Sequence, residues 1–284
     1  CLGVLARVSR RMGMLYLVER LGPVALGCPA ASVPARPQLW RPAPGRIFPA
    51  RGLQRGRVAL HLGCTYPELL GGTLREVVAV LTHEGFEVIV PTQPPCCGAL
   101  HAHAGATAQG ASLAAGTLRA LVHADAWIVP SAGCAAHLLG VDPSATVSEP
   151  MRFLRRQGIR GPMHSCAQSV THAPPCHLLN VLGGVNETNQ LLADVPGVKV
   201  LPLAEASLCC GAGGASFSRQ PEVASALGAR KAENVIASGA AWVLAGNPGC
   251  LLQIEAALRR RGSEISVAHP VRLIREALGA TLPD

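Results

Sequence analysis

The chain has 284 residues, 49% of them apolar, which is enough for two globular domains that each bury a core. Its formal net charge is +8, yet only 3% of its residues are aromatic, and no nucleic-acid recognition motif or stacking platform accompanies the charge. No apolar run reaches the roughly 18 residues of a transmembrane helix. We therefore expect a folded chain that binds no nucleic acid and has no transmembrane segment. Its positive charge is compatible with docking to an acidic partner or to a membrane surface.

The first 56 residues differ in character from the rest. Residues 1–27 are apolar and punctuated by arginines, a pattern that predicts one or two amphipathic helices, packed on the body or lying on a membrane surface. Residues 29–56 are rich in Pro and Arg and show no periodicity, which is typical of a linker. We interpret residues 1–56 as an N-terminal helical segment followed by a linker.

A first module is predicted over residues 57–160. The run RVALHLG predicts a buried strand that delivers Cys64 into a loop. A helix over 67–83, a strand at GFEVIVP and the loop that carries Cys96, Cys97 and Gly98 follow. An alanine-rich helix over 106–122 then leads to the strand AWIVP, with Cys134 just beyond it.

A second module, over residues 161–284, repeats this order. QSVTHA predicts a strand before Cys176, residues 177–193 a helix, and GVKVLPL a strand before Cys209 and Cys210. A helix over 221–238 and the strand AAWVLAG precede Cys250, which begins another helix. ISVAH and VRLIREALG predict a last strand and helix.

The cysteines show that the two modules are copies of one another. Between the single cysteine and the adjacent pair lie 31 residues in the first module and 32 in the second. Between the pair and the last cysteine lie 36 and 39. Leu70-Gly71-Gly72 and Leu182-Gly183-Gly184 recur at equal offsets, which indicates a duplicated domain with a repeat of about 113 residues. The predicted fold is α/β: two duplicated modules, each a mainly parallel sheet with flanking helices.

Loops that follow parallel strands gather at one edge of the sheet, where ligands bind. We place all eight repeated cysteines in such loops and predict that each set of four converges on a metal site. The first quartet is Cys64, Cys96, Cys97 and Cys134; the second quartet is Cys176, Cys209, Cys210 and Cys250.

Thiolates are soft ligands that suit zinc or iron–sulfur clusters. No C-x2-C knuckle of the structural zinc type occurs, and neighbouring thiolates favour a cluster over one tetrahedral ion. The alternative is that the cysteines are merely small buried apolar residues. We keep that interpretation for Cys1, Cys28 and Cys166, which lie outside the repeat.

The phrases CCGALHAHAG, CCGAGG, AGNPGCLLQI and HPVRLI resemble the cysteine-rich CCG domains of the heterodisulfide reductase family, and within it the iron–sulfur subunit of glycolate oxidase. The likeness covers about residues 57 to 279. That family carries an N-terminal ferredoxin-like domain whose cysteine run is missing here, so the resemblance implies a truncated subunit.

A second departure concerns the last cysteine of each module, where the full motif reads C-x2-C. The neighbours three positions away are Ser131 and His137 around Cys134, and Asn247 and Gln253 around Cys250. Five histidines near the loops could complete a different site, although hydrogen-bonded loop residues are the simpler interpretation: His61, His101, His103, His172 and His177.

The resemblance implies an iron–sulfur electron-transfer subunit of a glycolate oxidase, with a cluster of 4Fe–4S type or a variant and no substrate chemistry on this chain. FAD would lie only on the flavin-binding partner subunits, and electrons would pass to a membrane acceptor. The expected location is cytoplasmic, with peripheral association at the inner face of the cell membrane as a further option. The alternatives are an iron–sulfur subunit of heterodisulfide-reductase, lactate or glycerol-3-phosphate dehydrogenase type, or a zinc-stabilised interaction module.

Overall fold

The computed structural model describes residues 38–92, 96–120, 124–214, 216 and 220–284. The helices predicted within residues 1–27 lie outside the described residues, as does the linker up to residue 37. Two sheets, flanked by helices, occupy the described chain, so the predicted α/β class is confirmed.

The first sheet has five strands: β1 (Ile47–Phe48), β2 (Gly56–Leu60), β3 (Phe86–Ile89), β4 (Ala126–Ile128) and β5 (Val147–Ser148). Their order is β1-β3-β2-β4-β5, and all neighbours are parallel except the β1–β3 pair. Strand β2 is central because Val58 pairs with both Val88 and Ala126. Strand β1 falls inside the predicted linker, so part of that stretch adds an edge to the sheet.

The second sheet has four parallel strands: β6 (Ser169–His172), β7 (Lys199–Leu201), β8 (Trp242–Leu244) and β9 (Ser266–Ala268). Their order is β7-β6-β8-β9, which is the order of β3-β2-β4-β5 in the first sheet. The two modules therefore share one topology, as duplication requires.

Helices follow the strands in both modules. The first module contains α1 (Tyr66–Leu69), α2 (Gly71–His83), α3 (Ala99–His103), α4 (Thr107–Arg119), α5 (Ala132–Val141) and α6 (Pro150–Gln157). The second contains a π-helix (Leu178–Leu182), α7 (Val185–Ala193), α8 (Pro221–Ala237), α9 (Pro248–Arg260) and α10 (Val271–Leu278). The sequence patterns did not predict α3, α5, β5 or α6.

Both helices predicted after the first strand of a module are interrupted at the repeated Leu-Gly-Gly. In the first module, the interruption falls at Leu70, which forms a β-bridge with Gln38, while Gly71 N donates to the Gln38 carbonyl at 2.6 Å. In the second, Gly183 adopts a left-handed conformation with φ +69° between the π-helix and α7. The repeated glycines serve different ends: Gly71 allows the close approach of Gln38 and Trp40, and Gly183 supplies a left-handed turn.

The last helix of each module packs on the other module. Helix α10 lies against α2, and α6 lies against α7. One core cluster accordingly runs through both modules and contains Leu74 and Val77 together with Leu273 and Ile274. This reciprocal packing brings the cysteine-bearing edges of the two sheets face to face.

Candidate metal centre

The two cysteine-bearing edges meet along a seam between the modules. The Asn247 carboxamide oxygen accepts from Ser131 Oγ at 3.0 Å and from the Gly133 amide at 3.2 Å. The rings of His103 and His177 stack across the seam with centroids 5.6 Å apart. The first and second quartets are therefore neighbours on one surface.

The four thiols of the second quartet contact one another in a chain. Cys210 Sγ lies 3.1 Å from Cys250 Sγ, and the Cys209 thiol contacts those of Cys176 and Cys210. The Gly211 amide donates to Cys209 Sγ at 3.3 Å. The structure therefore brings these four predicted residues together.

The proton distribution in this chain of thiols is uneven. Hydrogen bonds donated by Cys176 and Cys210 lower the pKa of Cys209. The contact with Cys209 raises the pKa of Cys176 and that of Cys210, and burial adds to both effects. The folded chain thus favours the thiolate form of Cys209 over those of Cys176 and Cys210, and thiolates are ligands for soft cations.

The first quartet is assembled differently. Cys97, Cys134 and His61 form a group whose ligand atoms all lie within 4.8 Å of one another. Cys64 contacts Thr65 Oγ1 at 3.7 Å, and burial raises the pKa of Cys64 and of Cys96. Only two of the four predicted cysteines therefore belong to the tight group, and a histidine joins them.

Unpartnered nitrogen atoms single out His61 among the histidines. Its side chain is 1% exposed, and apart from a contact with the Cys97 thiol neither ring nitrogen has a hydrogen-bond partner within the described part of the chain. Buried polar atoms without partners are rare in native proteins. A soft divalent metal or an iron–sulfur cluster would satisfy one of these nitrogens, so the donor set of two thiols and an imidazole fits such a group.

Cys134 does not lie in a loop as expected, whereas Cys250 begins the helix predicted for it. Cys134 falls in the first turn of α5, and Cys250 falls in the first turn of α9. Ser131 caps α5 by accepting from the Cys134 amide at 3.3 Å. The helix after β4 was not recognised because AGCAAHLLGV is apolar on almost every face.

The positions where the full motif has a second cysteine carry structural residues here. Ser131 caps α5, and Asn247 bridges the seam. Gln253 Nε2 donates to the Ala224 carbonyl at 2.8 Å. The ring of His137 lies near that of His103, and the His137 Nε2 is buried without a partner in the described chain.

The other histidines near the loops differ in their surroundings. His172 Nδ1 lies 2.7 Å from Asn189 Oδ1, and burial lowers the pKa of His172 to about 4. Burial also lowers the pKa of His103 and of His177. His101 Nδ1 is buried and has no partner among the described residues.

Sequence reasoning missed a buried acid–base pair at the seam. Glu149 accepts from the Met151 and Arg152 amides and so caps α6, while its other oxygen lies 3.6 Å from His269 Nε2. Burial raises the pKa of Glu149 to about 7 and lowers that of His269 to about 3. The signal in the sequence was the recurrence of a titratable residue before Pro at the start of each module's last helix.

The clustered arginines are largely engaged within the chain. Arg155 pairs with Asp194 at 2.8 Å, Arg156 pairs with Glu187 at 3.1 Å, and Arg261 pairs with Glu233. Part of the positive charge that is compatible with docking to an acidic partner or a membrane is therefore paired within the chain. No helix of the described residues is long and apolar enough to cross a membrane.

The described chain thus combines a duplicated α/β fold with two neighbouring cysteine sites, which defines a duplicated cysteine-rich domain protein. The CCG cysteine-rich domain model matches residues 58–139 and 170–255, and the chain belongs to this family. The predicted resemblance is thereby confirmed.

Three curated relatives are similar to this chain. The "Probable glycolate oxidase iron-sulfur subunit" of Bacillus subtilis is 29% identical over 82% of this chain and 57% of that protein. One subunit of the CoM/CoB fumarate reductase of Methanothermobacter marburgensis is 30% identical over 77% and 46%. "Lactate utilization protein A" of Shouchella clausii is 26% identical over 76% and 98%. The chain thus spans about half the length of the first two.

Proposed function

We propose that this chain is an iron–sulfur electron-transfer subunit of a glycolate oxidase. In this proposal, it takes electrons from a flavin-binding partner subunit and passes them to a membrane acceptor. The observation that carries the proposal is the unbroken chain of thiol contacts from Cys176 to Cys250. Membership of the CCG family and the similarity to the Bacillus subtilis subunit support it.

The residues of each site would have distinct roles. Cys176, Cys209, Cys210 and Cys250 would hold a cluster of 4Fe–4S type or a variant, and Gly211 N would orient Cys209. Cys97, Cys134 and His61 would hold the first site, and Cys64 and Cys96 would complete its ligands. The cluster, when bound, accepts and releases single electrons. The surrounding side chains hold the thiolates in place, and water is kept away from the buried ones, which are Cys97, Cys210 and Cys250.

Lactate is the second candidate substrate of the complex. The match to "Lactate utilization protein A" covers 98% of that protein, against 57% of the glycolate oxidase subunit. Both compounds are 2-hydroxy acids that a flavin-bearing partner would oxidise, so this chain's own role is the same in either complex. Electron transfer measured from each flavoprotein partner separates the two.

The first test is the replacement of one ligand. Cys210→Ser exchanges a soft thiolate for a hard hydroxyl with little change of volume, so we expect loss of iron and of the broad absorption near about 400 nm. Electron transfer from the donor flavoprotein to an acceptor dye should fall with it. The measurement is iron per folded chain after anaerobic purification, because metal binding and folding are coupled.

Cys166→Ser is the matched control. This cysteine is half-buried outside both quartets, and its replacement changes the same atom. We expect wild-type iron content and electron transfer. Equal iron in the two variants would remove Cys210 from the ligand set, and a colourless wild-type protein that contains zinc would contradict the proposed function.

A further inference from the structure

A buried lysine lies beneath the second quartet. Lys231, on α8, is 2% exposed and is one of the largest fully buried side chains described. It lines the same small cavity as all four cysteines of that quartet. Because an ammonium group is costly to bury without compensation, its position calls for a physical reason.

The hydrogen bonds of Lys231 compensate only part of this cost. Its ammonium donates to the carbonyl oxygens of Glu205 at 3.0 Å and Ala206 at 3.1 Å. These acceptors carry no net charge, and the Glu205 carboxylate is bound instead by Arg230 and Asn234. Negative charge held by the four cysteines around the cavity that Lys231 shares with them would supply the rest.

The first module has a neutral residue at the equivalent place. Each Cys-Cys-Gly loop touches a helix through its glycine: Gly98 lies against the Gly110 carbonyl, and Gly211 lies against the Ala224 carbonyl. Gly110 and Ala224 are therefore equivalent positions in the two modules. Seven residues further along each helix stand Thr117 and Lys231. Thr117 Oγ1 donates to the Cys96 carbonyl at 2.8 Å, so that residue supports its loop without a charge.

We propose that Lys231 is the built-in counter-cation of the second quartet, and that it gives a cluster held there a higher reduction potential than a neutral residue would. The inference rests on the proposed function. Each electron added to a thiolate-bound cluster increases its negative charge, and a nearby ammonium stabilises the reduced state more than the oxidised state. Electrons would therefore be drawn toward the second module. Lys231 acts through the thiolates and is a positioning residue, not a catalytic one.

The decisive experiment compares Lys231→Met with Lys231→Arg and Lys199→Met in the full chain. Lys199 is the matched control because it is the other lysine of the chain and is exposed on β7. The first readout is the midpoint potential of iron-loaded protein in a dye-mediated titration followed by electron paramagnetic resonance. We expect a more negative midpoint in Lys231→Met, a value near wild type in Lys231→Arg, and no change in Lys199→Met.

The second readout needs no cluster. In metal-free protein at pH 7, loss of the ammonium should slow iodoacetamide alkylation of the second quartet by about three- to tenfold, because fewer thiols are ionised. Lys231→Gln keeps donors for the Glu205 and Ala206 carbonyls, and it replaces Lys231→Met if that variant does not fold. An unchanged midpoint together with an unchanged alkylation rate would overturn the inference. Failure of the wild type to bind iron would contradict the proposed function alone, because the alkylation rates still test Lys231.

Discussion

At the scale of single residues, Glu76 illustrates how burial outweighs a nearby opposite charge. Its carboxylate is 15% exposed and lies 3.9 Å from Arg272 Nε, yet desolvation raises the pKa of Glu76 to about 7. In the unfolded chain this carboxyl would ionise near its ordinary value. Between these two pH values the folded state holds a proton that the unfolded state has released.

We therefore expect the contribution of Glu76 to stability to fall as pH rises from about 4.5 to about 7, because in that range the unfolded state has released the Glu76 proton that the folded state still holds. Glu76→Gln should remove this part of the dependence and stabilise the protein at pH 8 by up to about 3 kcal/mol. Urea unfolding at pH 5 and pH 8 measures the effect. Glu222→Gln removes the same charge at an exposed position and should leave the pH dependence of the unfolding free energy as in the wild type. If Glu76→Gln also shows the wild-type pH dependence, the prediction is wrong.

At the scale of elements, each Cys-Cys-Gly loop packs closely against a later helix of its module, α4 in the first module and α8 in the second. Gly211 has φ +87°, and a Cβ there would lie 2.5 Å from the Ala224 carbonyl oxygen of α8. Gly98 has φ +80° and meets Gly110 of α4 in the same way. The glycine therefore sets how closely the cysteine pair approaches its helix.

Gly211→Ala should destabilise the chain by more than about 2 kcal/mol, because it combines an unfavourable φ with a backbone clash, and it should also lower the metal content. Gly105 has φ +91°, but a Cβ added there would meet no atom within 4 Å, so Gly105→Ala tests the φ effect alone. Thermal unfolding and metal analysis of both variants provide the comparison. If Gly211→Ala and Gly105→Ala lose the same stability and metal content, the close approach of α8 to Gly211 contributes nothing to either.

At the scale of the whole molecule, the last helix of each module packs on the other module, so we expect the two modules to unfold as one cooperative unit. The α10–α2 contact is continued by the C-terminal tail, where the Pro283 carbonyl accepts from Arg75 Nε at 2.9 Å. On the other side of the seam, Arg152 of α6 pairs with Glu187 of α7 at 3.0 Å. Separate unfolding of one module would expose the helix face that its partner covers.

Leu273→Ala, in α10, should cost about 2–5 kcal/mol because Leu273 is fully buried in the shared core. The first module should lose the same amount of stability. The reporter is the fluorescence of buried Trp127 in a protein whose Trp40 and Trp242 are replaced by Phe. Val223→Ala, at a half-exposed position of α8, is the control and should leave the unfolding midpoint almost unchanged. If the unfolding midpoint reported by Trp127 is the same with and without Leu273→Ala, the two modules unfold independently.

The sequence alone determined the duplication, the parallel α/β class and the eight cysteines as one repeated pattern. These features are local or periodic: apolar runs of strand length, alternating helices, and cysteine spacing between Cys64 and Cys250. The Leu-Gly-Gly repeats at Leu70 and Leu182 also marked equivalent points, because the predicted helix is interrupted there in both modules.

Only the tertiary structure decided which groups meet. His61 joins Cys97 and Cys134 because β2 and β4 are neighbours in the sheet, a pairing that no local pattern encodes. Lys231 lies beneath the second quartet because α8 packs against the loop that precedes it, and in the sequence it was one rare lysine among many arginines. Burial, pairing across the seam and the charge around each site depend on contacts between residues far apart in the chain, and spacing along the sequence does not carry that information.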